Sequence, residues 1–379
     1  MTLLGLTIFG IFSDKIPIQA NITIHSILII AIGSMKSVDE LLGKIKKIHI
    51  DKSKEGSNIE QMSFSDAWQF PIAAGCTLCG LYFGMQYFGK DAVNYFLVCY
   101  IAAGGSTGIK AMIQSFTKAL NDYDQNNIID INIKLIGLEL QITPLDVLCL
   151  IISFIQMGLY VYYKSWIYNN ILALIFCIHA LQTMFIGNFK NGIMLLCLLF
   201  FYDIFFVFGT DVMLTVAKGI DAPIKLMFPK DYSGEKPQYS ILGLGDIVIP
   251  GVFVSLCLRF DILKGINLEK LSDMIQKENE GDEKVNTMDY LVNRAKQCQK
   301  SYFQAVNVGY LLAMIMTIVV MLVFDHGQPA LLYLVPGCLI SVLGLALVKG
   351  EMKELLAFDE EIFIQAAQEE EEEDTKKDK

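Results

Sequence analysis

Residues 198–209 read LLFFYDIFFVFG, an unbroken apolar run with one carboxylate, Asp203, at its centre. A charged side chain in the middle of a bilayer costs roughly 3 kcal/mol on insertion scales, so an aspartate placed there marks a site and has a partner. Around this run the 379-residue chain is 54% hydrophobic with a mean hydropathy of +0.46, too apolar for a soluble globule of this size. Windows of about 20 apolar residues place spans near 17–36, 68–89, 93–112, 146–163, 168–186, 191–209, 241–259, 303–324 and 329–347. The expectation is an all-α, polytopic membrane protein with nine transmembrane helices over residues 1–350, followed by an acidic tail at 351–379. The polar stretches near 37–67, 113–145, 210–240 and 260–302 are each too short to bury a core. Any chemistry must therefore lie among the helices, within the lipid bilayer.

Composition removes several function classes. The first twelve residues, MTLLGLTIFGIF, lack the basic start and small-residue cleavage site of a signal peptide, and retention is expected. The nine cysteines are scattered and odd in number, and Cys76 with Cys79 reads as packing inside the second span. His25, His49, His179 and His326 lie far apart without an H-E-x-x-H pattern, so a zinc hydrolase is not expected, nor any other cofactor. The net charge of −10 comes largely from EEEEED at 369–374, a solvated run that suits no nucleic-acid partner. Assigned to alternate sides of nine spans, 23 of the 30 Lys and Arg residues fall on the side of the C-terminus. The positive-inside rule then makes the C-terminus cytosolic and the N-terminus lumenal.

The seventh span supplies the partner of Asp203. ILGLGDIVIPG at 241–251 sets Asp246 among glycines in an otherwise apolar run. With 1.5 Å of rise per residue, both aspartates come to lie roughly 8 Å inside the same face if their helices are antiparallel neighbours. Two carboxyls held close share one proton; one acts as general base on a water while the protonated one polarises a scissile carbonyl. Gly243 and Gly245, without a Cβ, let a substrate backbone or a neighbouring helix approach Asp246. They equally suit ordinary helix packing. Further on, QPALLYLVP at 328–336 begins the ninth span with Pro329, where a helix start tolerates proline, and Pro336 is expected to kink that helix.

On these residues the chain resembles the signal peptide peptidases, intramembrane aspartyl proteases related to presenilin. The resemblance rests on Tyr202–Asp203, on the G-x-G-D of Gly243, Leu244, Gly245 and Asp246, and on Pro329, Ala330 and Leu331, in the family's order. It implies two catalytic aspartates, Asp203 and Asp246, with Tyr202, the two glycines, Leu244 and the Pro-Ala-Leu turn positioning the substrate. It also implies transmembrane peptide substrates, chiefly remnant signal peptides and other type II segments. The final residues include Lys376 and Lys377, which look like a di-lysine signal read by a cytosolic retrieval coat, hence residence in the endoplasmic reticulum. Oligomeric state, with a homo-oligomer among the options, glycosylation at Asn21 and the role of the charged loop at 260–302 stay open.

Three rival readings carry weaker patterns. AGGSTG at 103–108 places Ser106 in the third span and His179 lies in the fifth, the residue types of a rhomboid-like serine protease, but nothing in the sequence brings them together. A transporter would use midplane acids on interrupted helices, yet no matching pair of broken spans relates the two halves. A catalytically inactive membrane scaffold would not need both aspartates.

Overall fold

The computed structural model describes residues 17–50, 62–114, 129–133, 138–210, 212–220, 222–231, 238–266, 274, 287–324 and 328–360. In chain order these form α1 (Ile18–Ile50), α2 (Phe64–Tyr87), α3 (Lys90–Gln114), β1 (Ile129–Ile133), β2 (Leu138–Ile142), α4 (Pro144–Tyr163), α5 (Trp166–Thr183) and α6 (Phe189–Phe208). There follow α7 (Val212–Gly219), β3 (Lys225–Asp231), β4 (Gln238–Gly243), α8 (Gly245–Lys264), α9 (Thr287–Gln297), α10 (Ser301–Phe324), α11 (Leu331–Lys349) and α12 (Met352–Ala357). Among the described residues, seven helices are long and apolar enough to cross a membrane, namely those at α1, α3, α4, α5, α6, α10 and α11. The second and seventh expected spans are helices too, α2 and α8. They are less uniformly apolar: α2 contains Pro71, and α8 contains Pro250 and four charged residues, Asp246, Arg259, Asp261 and Lys264. The protein is thus a polytopic helical bundle.

Two antiparallel hairpins interrupt the helices. β1 pairs with β2, and β3 with β4 in the register Lys225↔Gly243, Leu226↔Leu242 and Met227↔Ile241. This corrects the seventh span, expected from residue 241: residues 241–243 are strand, and the helix begins at Gly245. The apolar run continues across the junction, and such a run does not by itself separate strand from helix. The expected kink at Pro336 lies within α11, which runs as one helix from Leu331 to Lys349. The first twelve residues, the acidic run at 369–374, Lys376 and Lys377 lie outside the described residues, as do residues 267–273 and 275–286 of the 260–302 loop.

The chain divides into two compact units. The first comprises Met1–His25, Thr77–Ala180 and Val212–Gly245. Its core gathers Met85, Ala102, Met157, Tyr160, Leu172, Val216 and Ile220. Small residues let α3 and α4 close up: Ser153 Oγ donates to the Ala102 carbonyl at 2.6 Å, and a Cβ on Gly105 would lie 3.1 Å from that hydroxyl. The start of α4 is a capping box, with Thr143 and Asp146 satisfying each other's backbone N–H groups and Lys110 paired to Asp146 at 2.9 Å. Asn21, in the sequon left open above, is only 1% exposed, which argues against its carrying a glycan.

Within this unit a pair of buried asparagines on α5 closes the outer edge of β3. The Asn170 amide donates to the Met227 carbonyl at 2.8 Å and accepts the Met227 N–H at 2.9 Å, while Asn169 donates to the Lys225 carbonyl at 2.7 Å. Met227 and Lys225 are two residues apart, so their peptide groups point to the same edge of the strand. Side-chain amides thus bond three of the peptide groups that a further strand would pair there.

The second unit comprises Ser26–Cys76, Leu181–Asp211 and Asp246–Lys379. One apolar cluster joins Val38, Leu41, Leu42 and Ile45 of α1 to Phe185, Leu258, Ile262, Leu263 and Leu291. Among the described residues, α10 and α11 pack along each other. Glycine is required at their crossing, because a Cβ on Gly309 would sit 2.5 Å from the Gly337 carbonyl oxygen. The backbones can approach this closely only with hydrogen at both positions. Packing continues beyond α11: Phe358 lies against Phe189 and Phe260, and the Glu360 N–H donates to the Gly187 carbonyl at 3.0 Å. Residues 351–360, expected to begin the polar tail, are therefore part of the packed unit.

Candidate active site

α6 is apolar on nearly every position, so its orientation is set by what its buried stripe touches. Gly192, Leu195, Leu196, Leu199 and Asp203 lie on that stripe at spacings of three and four, which places the carboxylate on the face turned into the protein. The helix is fixed at its start by Asn188, whose side chain accepts the Asn191 N–H at 2.9 Å, and by Asn191, which donates to the Met62 carbonyl at 2.8 Å. A Cβ on Gly192 would meet the Phe253 ring at 3.0 Å, so α6 and α8 pack closely one helix end away from the aspartates.

Asp203 is 5% exposed, and its Oδ2 accepts the backbone N–H of Leu331 at 3.0 Å. The reason lies in how α11 begins. The first N–H groups of a helix have no partner within it, and the residue before Leu331, Ala330, offers no side-chain cap. The Pro329 carbonyl accepts from Leu332 at 3.3 Å, and the Ala330 carbonyl accepts from Tyr333 and Leu334, both at 3.1 Å. The Leu331 N–H remains, and Asp203 supplies the missing cap from another helix. A carboxylate also gains there from the positive end of the helix dipole. The Pro-Ala-Leu turn and the aspartate thus complete each other's hydrogen bonding.

Asp246 is the second residue of α8 and close enough to Asp203 for the two charges to interact. The Tyr310 hydroxyl of α10 reaches the Asp246 carbonyl oxygen at 3.4 Å. Gly243 ends β4 opposite Lys225, Leu244 donates its N–H to Ile224 at 3.3 Å, and Gly245 opens α8. These residues, expected inside a helix, form the turn from strand to helix that leads into Asp246. Tyr202 packs its ring on Phe206 at a centroid distance of 4.6 Å, and a Cβ on Gly75 would lie 3.6 Å from it. The second unit therefore gathers Asp203, Asp246, Tyr202, Pro329, Ala330 and Leu331.

The serine alternative is not assembled. Ser106 Oγ donates to the Ala103 carbonyl of its own helix at 2.6 Å, and His179 Nε2 lies 3.1 Å from the hydroxyl of Thr107. Among the described residues no group of three His, Cys, Asp or Glu side chains is placed to hold a metal ion.

The far end of α8 carries charges that were not singled out in the sequence. Arg259 is fully buried, pairs through Nε with Glu360 Oε1 at 2.6 Å, donates from Nη1 to Ser37 Oγ at 2.6 Å, and lies 4.7 Å from the centroid of the Phe185 ring. Asp261, two residues on, accepts the N–H groups of Tyr302 and Phe303 at 3.3 and 2.9 Å. Lys264 pairs with Glu351 and Glu354 at 3.0 and 2.9 Å. The hydrogen bonds from Lys264 and from the Tyr302 hydroxyl hold the Glu351 carboxyl below the usual carboxylate range. The signal that exposes Asp203 was available here too: GVFVSLCLRFDIL at 251–263 is another apolar run interrupted by charge.

Comparison with known proteins agrees with this architecture. The signal peptide peptidase family matches residues 54–362. The chain is 34% identical to the signal peptide peptidase of Mus musculus over 333 residues, covering 84% of this chain and 79% of that protein. It is 33% identical to the human signal peptide peptidase over the same length and the same shares. Over 201 residues it is 43% identical to intramembrane protease 2 of Caenorhabditis elegans, covering 52% of this chain and 39% of the relative.

Proposed function

Because the chain belongs to the signal peptide peptidase family of intramembrane aspartic proteases, we propose that Asp203 and Asp246 are the two acids that hydrolyse a peptide bond within a transmembrane segment. The supporting observation is the Leu331 N–H on Asp203 Oδ2, which sets the carboxylate at the Pro-Ala-Leu turn with Asp246 within electrostatic reach. One carboxylate takes a proton from a water held between the acids, and the resulting hydroxide adds to the substrate carbonyl. The other, protonated, donates to the carbonyl oxygen. The tetrahedral diol then collapses: the carboxyl that took the water proton gives it to the leaving nitrogen as the C–N bond breaks, and the other, now ionised, takes a proton from a diol hydroxyl.

The substrate arrives as a helix whose carbonyls are already bonded within it. Before attack the segment must unwind locally, and each freed peptide group needs a partner inside the bilayer. Gly243 and Gly245 carry no Cβ to keep a backbone from Asp246; Tyr202 adjoins Asp203 and Leu244 precedes Asp246 by two residues, while Pro329 and Ala330 lead into the Leu331 N–H that Asp203 accepts. The substrates proposed are remnant signal peptides and other type II segments. A panel of reconstituted single-span substrates tests this: those with Gly, Ser or Asn near the scissile bond are cut faster than those with Leu. Equal rates across the panel mean that unwinding does not limit cleavage. Photolabelling by an aspartyl-protease transition-state isostere, lost in Asp246→Ala, tests the acids themselves.

The nine-span topology with a cytosolic C-terminus and the address belong to the same proposal. Lys376 and Lys377 are read as a retrieval signal for a cytosolic coat, keeping the protein in the endoplasmic reticulum. Replacing both with serine releases it to later compartments, as followed by cell fractionation. An unchanged distribution removes the signal.

A further inference from the structure

We infer that Asp261 is a positioning residue for the carboxylate pair, acting through the register of α10. The inference rests on the proposed roles of Asp203 and Asp246. Asp261 lies on the same helix as Asp246, about 22 Å further along at 1.5 Å per residue. It is 7% exposed, a costly setting for a carboxylate unless its oxygens are used. Both are: Oδ1 accepts the Tyr302 N–H and Oδ2 the Phe303 N–H, two orphan donors of the first turn of α10. Lys264 and Lys349 lie within electrostatic range of it.

This cap comes from a neighbouring helix, so it does more than end α10. It fixes the axial position of α10 against the end of α8, and the Tyr310 hydroxyl, ten residues into α10, reaches the Asp246 carbonyl at the start of α8. Next to Tyr310, Gly309 seats α10 on Gly337 of α11 with backbone in contact with backbone. α11 in turn presents the Leu331 N–H to Asp203. The path from Asp261 through α10 and α11 therefore ends on the hydrogen bond that holds one acid while α8 itself carries the other. A slip of one residue moves a helix by 1.5 Å, enough to lose a 3.0 Å bond.

A cap that served stability alone would leave turnover per folded molecule untouched, and this separates the two roles. The full chain is reconstituted in vesicles with Asp261→Ala and Asp261→Asn, and kcat, KM, isostere affinity and the melting temperature are measured. Positioning predicts that kcat falls between about 10- and 100-fold in the Ala variant, less in the Asn variant, with KM within about twofold. Isostere affinity falls with kcat at temperatures where each variant is fully folded. Tyr310→Phe, which cuts the other tie and leaves the cap in place, lowers kcat in the same sense and decides the matter if the Asp261 variants do not fold. Wild-type kcat and isostere affinity in Asp261→Asn, or in Tyr310→Phe should that be the variant that decides, overturn the inference. Asp203→Asn and Asp246→Asn are measured alongside. If either cleaves, the catalytic reading fails; if both are inert while the Asp261 variants turn over normally, only the positioning role fails.

Discussion

Asparagine at position 203 or at position 246 lowers cleavage of a transmembrane substrate by at least about 10⁴-fold, to the background of the assay. The dyad needs one group that takes a proton from water and one that gives a proton to the carbonyl oxygen, and an amide does neither. The fold survives the change. Asn is nearly isosteric with Asp, and an amide oxygen at 203 still accepts the Leu331 N–H now bonded at 3.0 Å. Wild-type melting behaviour together with complete loss of cleavage is the expected pair of results for each variant. Substantial cleavage by Asp203→Asn would remove the proposed chemistry, whatever the fate of the substrate panel.

The largest effect on stability comes from the other end of α8. Arg259 and Glu360 are both fully buried and 2.6 Å apart, and Arg259 Nη2 has no hydrogen-bond partner among the described residues. Removing one member of such a pair costs about 3–5 kcal/mol, because the remaining charge stays buried without compensation. Replacing both by apolar side chains of similar volume is far milder. Thermal unfolding in detergent should therefore show a large loss for Arg259→Met and for Glu360→Leu, and recovery of most of it in the double variant. Losses that simply add would mean that the two side chains act separately.

Much of this molecule was legible in the sequence because the bilayer writes in long words. Apolar runs of about 20 residues give the helices, and a carboxylate inside such a run stands out, which is how Asp203 and Asp246 were found. The hairpins were not legible. Gln238–Gly243 and the start of α8 share one apolar run, and only Gly243 and Gly245 mark the change. Nor was the work of the Pro-Ala-Leu turn visible: Pro329 reads as an ordinary helix start, whereas its consequence, a Leu331 N–H capped from 128 positions away, depends on tertiary placement. Asn169 and Asn170 carry no pattern of their own, since an amide that stands in for a strand is indistinguishable in sequence from one facing water. Arg259 and Asp261 follow the same rule as Asp203, but they fall near the end of a span, where charge is usually solvated.

The Arg259 cluster also has a bearing on time. Ser37 and Arg259 are separated by 222 positions along the chain, and Arg259 and Glu360 by another 101. Contacts of such separation close the largest loops, and the entropic cost of closure favours their forming late. Interactions made after the rate-limiting step leave the folding rate alone and slow only the reverse reaction. The cluster is therefore expected to act as a late-closing latch: Arg259→Met should speed unfolding and leave the folding rate unchanged, and a slowed folding rate would show that the cluster forms early.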